Sequence, residues 1–196
     1  MSAIEFFLHP LMRSNLIIAI SSWLAAAFGY YLIGFEIKYL PGSLYMNVVM
    51  SSIAEATGKY LGNIQIKRVG IRQAFINSFS LAILGAFLII ITSGRVDSPV
   101  VLGLCLFITK LGVAMAFLTN YLAIVVLFPT LFNGTVAGVC NFVARMGTIF
   151  APLVAEVKPP MPMILFIAIM MLACGLNSRL VIPTDLEKRQ SVTKKN

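Results

Sequence analysis

Four ionisable side chains stand inside stretches of sequence that are otherwise apolar: Glu55, Lys59, Lys110 and Arg145. Glu55 and Lys59 are four residues apart, a spacing that puts both on one face of a helix within pairing distance. Arg145 has no acid at helical spacing in its own stretch. One negative group against three positive ones leaves a surplus of positive charge. Guanidinium and ammonium groups can replace the hydration shell of a carboxylate, so this set suits an anionic ligand. It does not suit bond-making. The single histidine, His9, precedes the first apolar stretch, and no Ser/His/Asp, Cys/His, paired-aspartate or metal-ligand grouping occurs at workable spacing. The chain is therefore expected to be no enzyme and to need neither metal nor cofactor. Cys105, Cys140 and Cys174 are too far apart for a C-x-x-C pattern and read as small core residues.

The elements that must hold these groups follow from composition. Of 196 residues, 59% are hydrophobic and only 11% charged, and mean hydropathy is +0.94, which nearly excludes a water-soluble domain. The apolar residues come in blocks of roughly 20, the length an α-helix needs to cross a hydrocarbon core of about 30 Å with its backbone satisfied internally. Strands of a membrane barrel would alternate, whereas Leu16 to Ile20, Leu81 to Ile91 and Met163 to Cys174 do not. Helices are expected at 14–35, 41–64, 74–94, 98–127, 132–154 and 162–182. The breaks between them carry turn residues: Pro41-Gly42, Ser93-Gly94 with Asp97-Ser98-Pro99, Pro129, Pro159-Pro160 and Pro183. The fold class is thus an all-α integral membrane bundle of six transmembrane helices spanning 14–184. Residues 1–13 form a lead-in without the basic start and cleavage site of a signal peptide, and residues 185–196 a polar tail.

A net charge of +8 would raise the question of nucleic acid in a soluble protein. Here the basic residues lie mostly between and after the apolar blocks, without an arginine-rich stripe, and orientation in the bilayer accounts for them. With six spans, Arg13, Lys67, Arg68, Arg72, Lys188, Arg189, Lys194 and Lys195 share one side, against Lys38, Arg95 and Lys158 on the other. Both termini are then cytoplasmic. Each charge inside a span costs a few kcal/mol by insertion scales and needs a partner, a water-filled cavity or a route to the interface. Glu55 and Lys59 can pair with each other, and Lys59 can also reach the headgroups. Arg145, near the middle of its span, is expected to face the bundle interior. Trp23, Tyr30 and Tyr31 offer two readings: a wall that stacks on a bound solute, with Trp23 and Tyr30 seven apart on one face, or an interfacial belt.

At this point the residues resemble a known family, the organic anion and organic cation transporters of the major facilitator superfamily, over its C-terminal six-helix half. Trp23 with Phe28-Gly29-Tyr30-Tyr31 is similar to the family's W-x4-F-x-Y-Y, and Glu55 to Gly62 resembles its D-L-P-A-K-L-x-G segment. Lys110 followed by Phe128-Pro129-Thr130 is similar to a lysine and terminal L-Y-P-T, and Thr135 to Pro152 resembles T-x2-G and A-R-x-G-x-I-x-x-P. Phe7 to Arg13 is similar to the family's lead-in, and the whole resemblance covers about residues 6 to 183. It implies one half of an alternating-access transporter. The organic-anion branch is the closer match, with Lys59 and Arg145 standing where that branch binds anions; Tyr30, Tyr31, Trp23 and Lys110 complete the expected substrate site.

The departures are specific. The family's G-R-R signature appears as Gly70-Ile71-Arg72, the acid of its E-L-Y-P motif is Val126, and Asn133 replaces a basic residue. The resemblance makes Arg68 and Arg72 part of a cytoplasmic charge network that latches one state, and these losses remove partners from it. The family's cavity also lies between two six-helix halves, of which the resemblance covers one. Two expectations result. One is transport of small organic anions by a transporter or half-transporter, in the plasma membrane rather than an organelle, whose partners are the lipid bilayer, the anion, and a second six-helix half, a homodimer mate or a larger complex. The alternative is a transporter-derived accessory subunit of a larger membrane complex that moves nothing. Nucleic acid is not an expected partner in either.

Overall fold

The computed structural model describes residues 10–39, 43–93 and 99–182, and every regular element among them is helical. Helix α1 is Pro10–Glu36 and runs into a short 3-10 turn, Ile37–Tyr39; α2 is Leu44–Thr92, α3 Pro99–Leu127, α4 Asn133–Thr148, α5 Ala151–Ala155 and α6 Met161–Asn177. Among the described residues, four helical stretches are long and apolar enough to cross a bilayer: Met12–Tyr39, Leu44–Thr92, Val100–Leu127 and Asn133–Ala155, with Met161–Asn177 a shorter apolar helix. Most of the lead-in, the Pro41-Gly42 turn, the Gly94 to Ser98 turn and the whole of the 185–196 tail lie outside the described residues.

Helix α2 holds 49 residues, which as a straight rod would reach about 74 Å, more than twice a hydrocarbon core. It is not straight. Gly70 sits at φ 80, ψ 170, a conformation open essentially to glycine alone, and nothing crowds the place where a side chain would be. Contacts with α3 show what this does. On the first leg Gly58 lies against Leu111 and Ala114, and Gly62 against Met115 and Leu118, so the two run parallel. On the second leg Gly85 meets Thr109 while Ser78 and Ala82 meet Gly112, so the two run antiparallel. The chain therefore reverses at Gly70. The sequence suggested a break over 65–73; one glycine makes the reversal while helical turns continue on both sides of it.

Lipid tails are as apolar as leucine, so association between these helices depends on close packing and interhelical hydrogen bonds rather than on escape from water. Both are present. A Cβ on Gly112 would lie 2.8 Å from the Ser78 carbonyl oxygen, which places the backbones of α2 and α3 almost in contact. Helix α1 buries Ala25, Ala26, Ala27, Leu32 and Ile33, and in α2 Phe75 and Phe79 stack with ring centres 6.0 Å apart. Buried amides pin the helices. Asn15 donates to the Val181 carbonyl at 2.8 Å, Asn177 donates to the Ser22 hydroxyl at 3.2 Å, and Asn120 donates to the Ser22 carbonyl at 3.4 Å. All three cysteines are free, with Cys105 and Cys140 buried and Cys174 partly so.

Two local features shape the approach to Arg145. With its amide nitrogen turned toward them, Asn133 donates to the carbonyls of Ile124 and Phe128 at 3.1 Å and of Pro129 at 3.2 Å. An asparagine thus satisfies orphan carbonyls at the end of α3, where the family resemblance led one to expect a basic residue. Further on, α4 stops at Thr148 and α5 starts at Ala151. Pro152 is the reason: it has no N–H to give the Thr148 carbonyl and its ring crowds that turn. Arg145 lies one turn before this break.

Candidate functional site

The site is organised by two adjacent tyrosines. Consecutive helical residues point about 100° apart, so Tyr30 and Tyr31, near the end of α1, address different neighbours. Tyr30 turns toward α2 and α3 and donates from its hydroxyl to Glu55 Oε2 at 2.7 Å. The other carboxylate oxygen of Glu55 accepts from Lys59 Nζ at 2.6 Å. Glu55 is thereby engaged on both oxygens, once by a charged donor one helical turn on and once across the helix interface. Lys59 remains half exposed.

Lys110 approaches the same tyrosine from α3. Its ammonium is 3.5 Å from the centre of the Tyr30 ring and donates to the Tyr30 carbonyl oxygen at 3.3 Å. With 3% of its surface exposed, Lys110 sits beneath the ring and not in an open cavity. A desolvated cation over a π-face is attracted by about 2 kcal/mol, which fixes the ring that in turn holds Glu55. Of the expected substrate ligands, Lys110 is therefore placed to hold Tyr30 rather than to touch a solute in this conformation.

Tyr31 turns the other way, toward α4. Arg145 Nη1 donates to the Tyr31 hydroxyl in a short hydrogen bond, and the guanidinium carbon lies 5.7 Å from the ring centre. Among the described residues no carboxylate pairs with Arg145. The sequence suggested that this arginine faces the bundle interior, but it is exposed on the surface of the helical bundle. The physical reason is that the interior is already filled by the alanine, leucine and phenylalanine side chains around α1, and a guanidinium has no counter-charge there.

The two tyrosine rings meet edge to face with centres 5.6 Å apart, which joins the acid-lysine pair to the arginine. An aromatic row continues from Tyr30 to Phe117 at 5.7 Å, to Tyr121 at 5.8 Å, and to Trp23 at 4.7 Å. Trp23 is buried at its far end, whereas Tyr121 is half exposed. The row thus reaches the surface at Tyr121, with Trp23 behind it, while Tyr30, Tyr31 and Phe117 are partly buried. Phe117 and Tyr121 were not singled out from the sequence. Their i, i+4 spacing in α3, next to the polar pair Thr119 and Asn120, was the available signal.

Arg68 and Arg72 stand on either side of Gly70, both exposed, and no ion pair reaches them among the described residues. Val126, at the end of α3, is 51% exposed.

No protein-family model matches the chain. Individual proteins do. It is 26% identical over 168 residues to human solute carrier family 22 member 13, covering 84% of this chain and 30% of that protein. The chain is a relative of the solute carrier family 22 transporters. Rat solute carrier family 22 member 6 is 27% identical over 183 residues, covering 91% of this chain and 33% of that protein. The organic cation transporter protein of Drosophila melanogaster is 27% identical over 183 residues, covering 92% and 33%. The chain thus spans about a third of the length of the curated solute carrier relatives it matches. These solute carriers are transporters of organic ions, and the identities do not choose between anion and cation.

Proposed function

We propose that this chain forms six membrane spans, residues 14–184, that make up one half of a transporter for small organic anions. The observation that carries the proposal is Arg145: a guanidinium bonded to Tyr31, without a carboxylate partner among the described residues, beside a pair whose acid is already neutralised. The reversal at Gly70 makes two crossings of α2, and α1, α3, the α4–α5 stretch and α6 supply the others. An entering carboxylate pairs with Arg145, while its apolar body lies against Tyr31 and Tyr121. The site is open on one side. A second six-helix half, on the same or another polypeptide, closes it, and alternating access is rocking of one half against the other. No covalent chemistry is done on the solute.

Ligand-induced thermal shift tests the sign of the ligand. Purified protein in mild detergent is expected to be stabilised by benzoate, by an amount that saturates, and not by tetramethylammonium at matched ionic strength. Stabilisation by the ammonium ion alone would reverse the proposed selectivity.

Both termini are proposed to be cytoplasmic, from the excess of lysine and arginine on that side. A single cysteine at Ser191 should react with an impermeant maleimide only after cells are permeabilised. Labelling of intact cells would overturn the orientation.

The second reading, an accessory subunit that transports nothing, is favoured by a different observation: Arg68 and Arg72 are exposed without an acid among the described residues, and Val126 stands where the latch would have one. On that reading Arg145 ties the chain to a neighbouring subunit.

A further inference from the structure

We propose that Glu36 is the carboxylate ligand of a small monovalent cation, a proton or a sodium ion, at the end of the bundle opposite Gly70. Glu36 is the last residue of α1 and is 5% exposed; its Oε1 is fully buried and meets no hydrogen-bond donor among the described residues. It lines a cavity of about 60 Å³ together with Tyr39, Ile89, Ser93, Pro159 and Met163. That volume accommodates a dehydrated ion with a water molecule or two. An ionised carboxylate without a counter-charge in such a place is unfavourable by several kcal/mol, and a bound proton or metal cation removes the cost.

Among the described residues no ion pair reaches it. Lys38, two residues on, pairs with Glu156 at 3.6 Å and lies over the Tyr39 ring at 4.6 Å, in exposed positions. Tyr39 lines the cavity from the 3-10 turn. From α2 the facing polar group is the Ser93 hydroxyl. Arg95 and Asp97, which follow it in sequence, lie outside the described residues. From the segment before α6 the lining residues Pro159, Pro160 and Met163 carry no charge, and the neighbouring Lys158 is exposed.

Backbone dipoles point the same way. Helix α1 ends at Glu36 and α2 ends at Thr92, so two helix C-termini, with their partial negative charge, converge on the cavity. Helix α6 presents its N-terminus, where Pro160 and Pro162 have no N–H to offer and the Met161 N–H is already given to the Lys158 carbonyl at 3.2 Å, which leaves the Met163 N–H against the two C-termini. The electrostatic balance favours a cation. Its binding ties together the ends of α1, α2 and α6, and it does so whether or not the chain moves an organic ion.

The test is the unfolding midpoint of the purified full chain, measured from about pH 5 to about pH 9 in sodium chloride or in choline chloride at equal ionic strength. In choline the wild type should lose about 5 °C or more as the pH rises, because losing the proton uncovers a buried charge. If sodium is the ligand, sodium chloride restores the loss at high pH; if the proton is, the two salts give one curve. Glu36→Gln should give a flat profile in both salts. A wild-type profile that matches Glu36→Gln at every pH and in both salts overturns the proposal. So does an Arg95→Gln variant that acquires a high-pH loss which the wild type lacks, since Arg95 would then be the partner that neutralises Glu36. Should Glu36→Gln fail to fold, the wild type decides by infrared spectroscopy. A protonated-carboxyl band that vanishes with rising pH or with added sodium supports the site, and a spectrum indifferent to both overturns it.

Discussion

Arg145→Ala is expected to remove carboxylate binding. Among the described residues the guanidinium has no carboxylate partner, whereas Lys59 is paired with Glu55 and Lys110 is buried beneath Tyr30, so an entering anion gains its strongest hydrogen bonds at Arg145. For the exposed arginine of the open half the loss is about 1 kcal/mol, and where a second half closes over the site and excludes water it rises to about 2–5 kcal/mol, or about 30-fold or more in affinity. Arg145→Lys should recover only part of it, because an ammonium cannot make the bidentate pair. Tyr31→Phe keeps the charge and removes one hydrogen bond that orients it, a loss of about 1 kcal/mol. The accessory-subunit reading predicts a different outcome for the same proteins. Arg145→Ala would then loosen the complex and leave benzoate without effect on wild type and variant alike. Thermal shift with benzoate, run beside native electrophoresis of the detergent extract, separates the two. Wild type that ignores benzoate, with Arg145→Ala falling out of a larger assembly, would rule out the transport proposal for this chain.

Gly112→Val should damage the fold most. A Cβ there would lie 2.5 Å from the Ala82 amide nitrogen and 2.8 Å from the Ser78 carbonyl oxygen, both backbone atoms that no rotamer change can move. Helix α3 would have to back away from the second leg of α2, opening the packing around Phe79, Leu106 and Val113, all fully buried. Overpacking of this kind costs about 3 kcal/mol, and the lost contacts add to it. Gly103→Ala, on the same helix, is the control. Nothing lies within 4 Å of the added methyl, and alanine favours the helix by up to about 1 kcal/mol. The unfolding midpoint should fall by several degrees for the first and hold or rise for the second; equal behaviour would show that α2 and α3 are not packed this closely.

What the sequence determined by itself was whatever depends on local chain chemistry. Long apolar blocks without the alternation of a barrel strand dictate helices, which satisfy their own backbone in hydrocarbon, and the Glu55–Lys59 pair is legible because four residues is about one helical turn. The pairing of Tyr30 with Glu55 was not legible. It joins residues 25 apart, and the 100° between Tyr30 and Tyr31 decides which neighbour each one meets. The exposure of Arg145 was equally hidden, since a sequence shows that a charge lies within a span but not which face of the bundle that helix turns outward. Only the tertiary structure decided that Lys110 is buried under a ring, that Tyr121 and not Trp23 stands at the open surface, and that Glu36 has no donor at its buried oxygen among the described residues. Each of these depends on how α1 seats against α2, α3 and α6. Backbone approach at Gly112 sets α2 against α3, and α1 is seated by side-chain hydrogen bonds between residues more than a hundred positions apart, such as Asn15 to Val181, which no local pattern encodes.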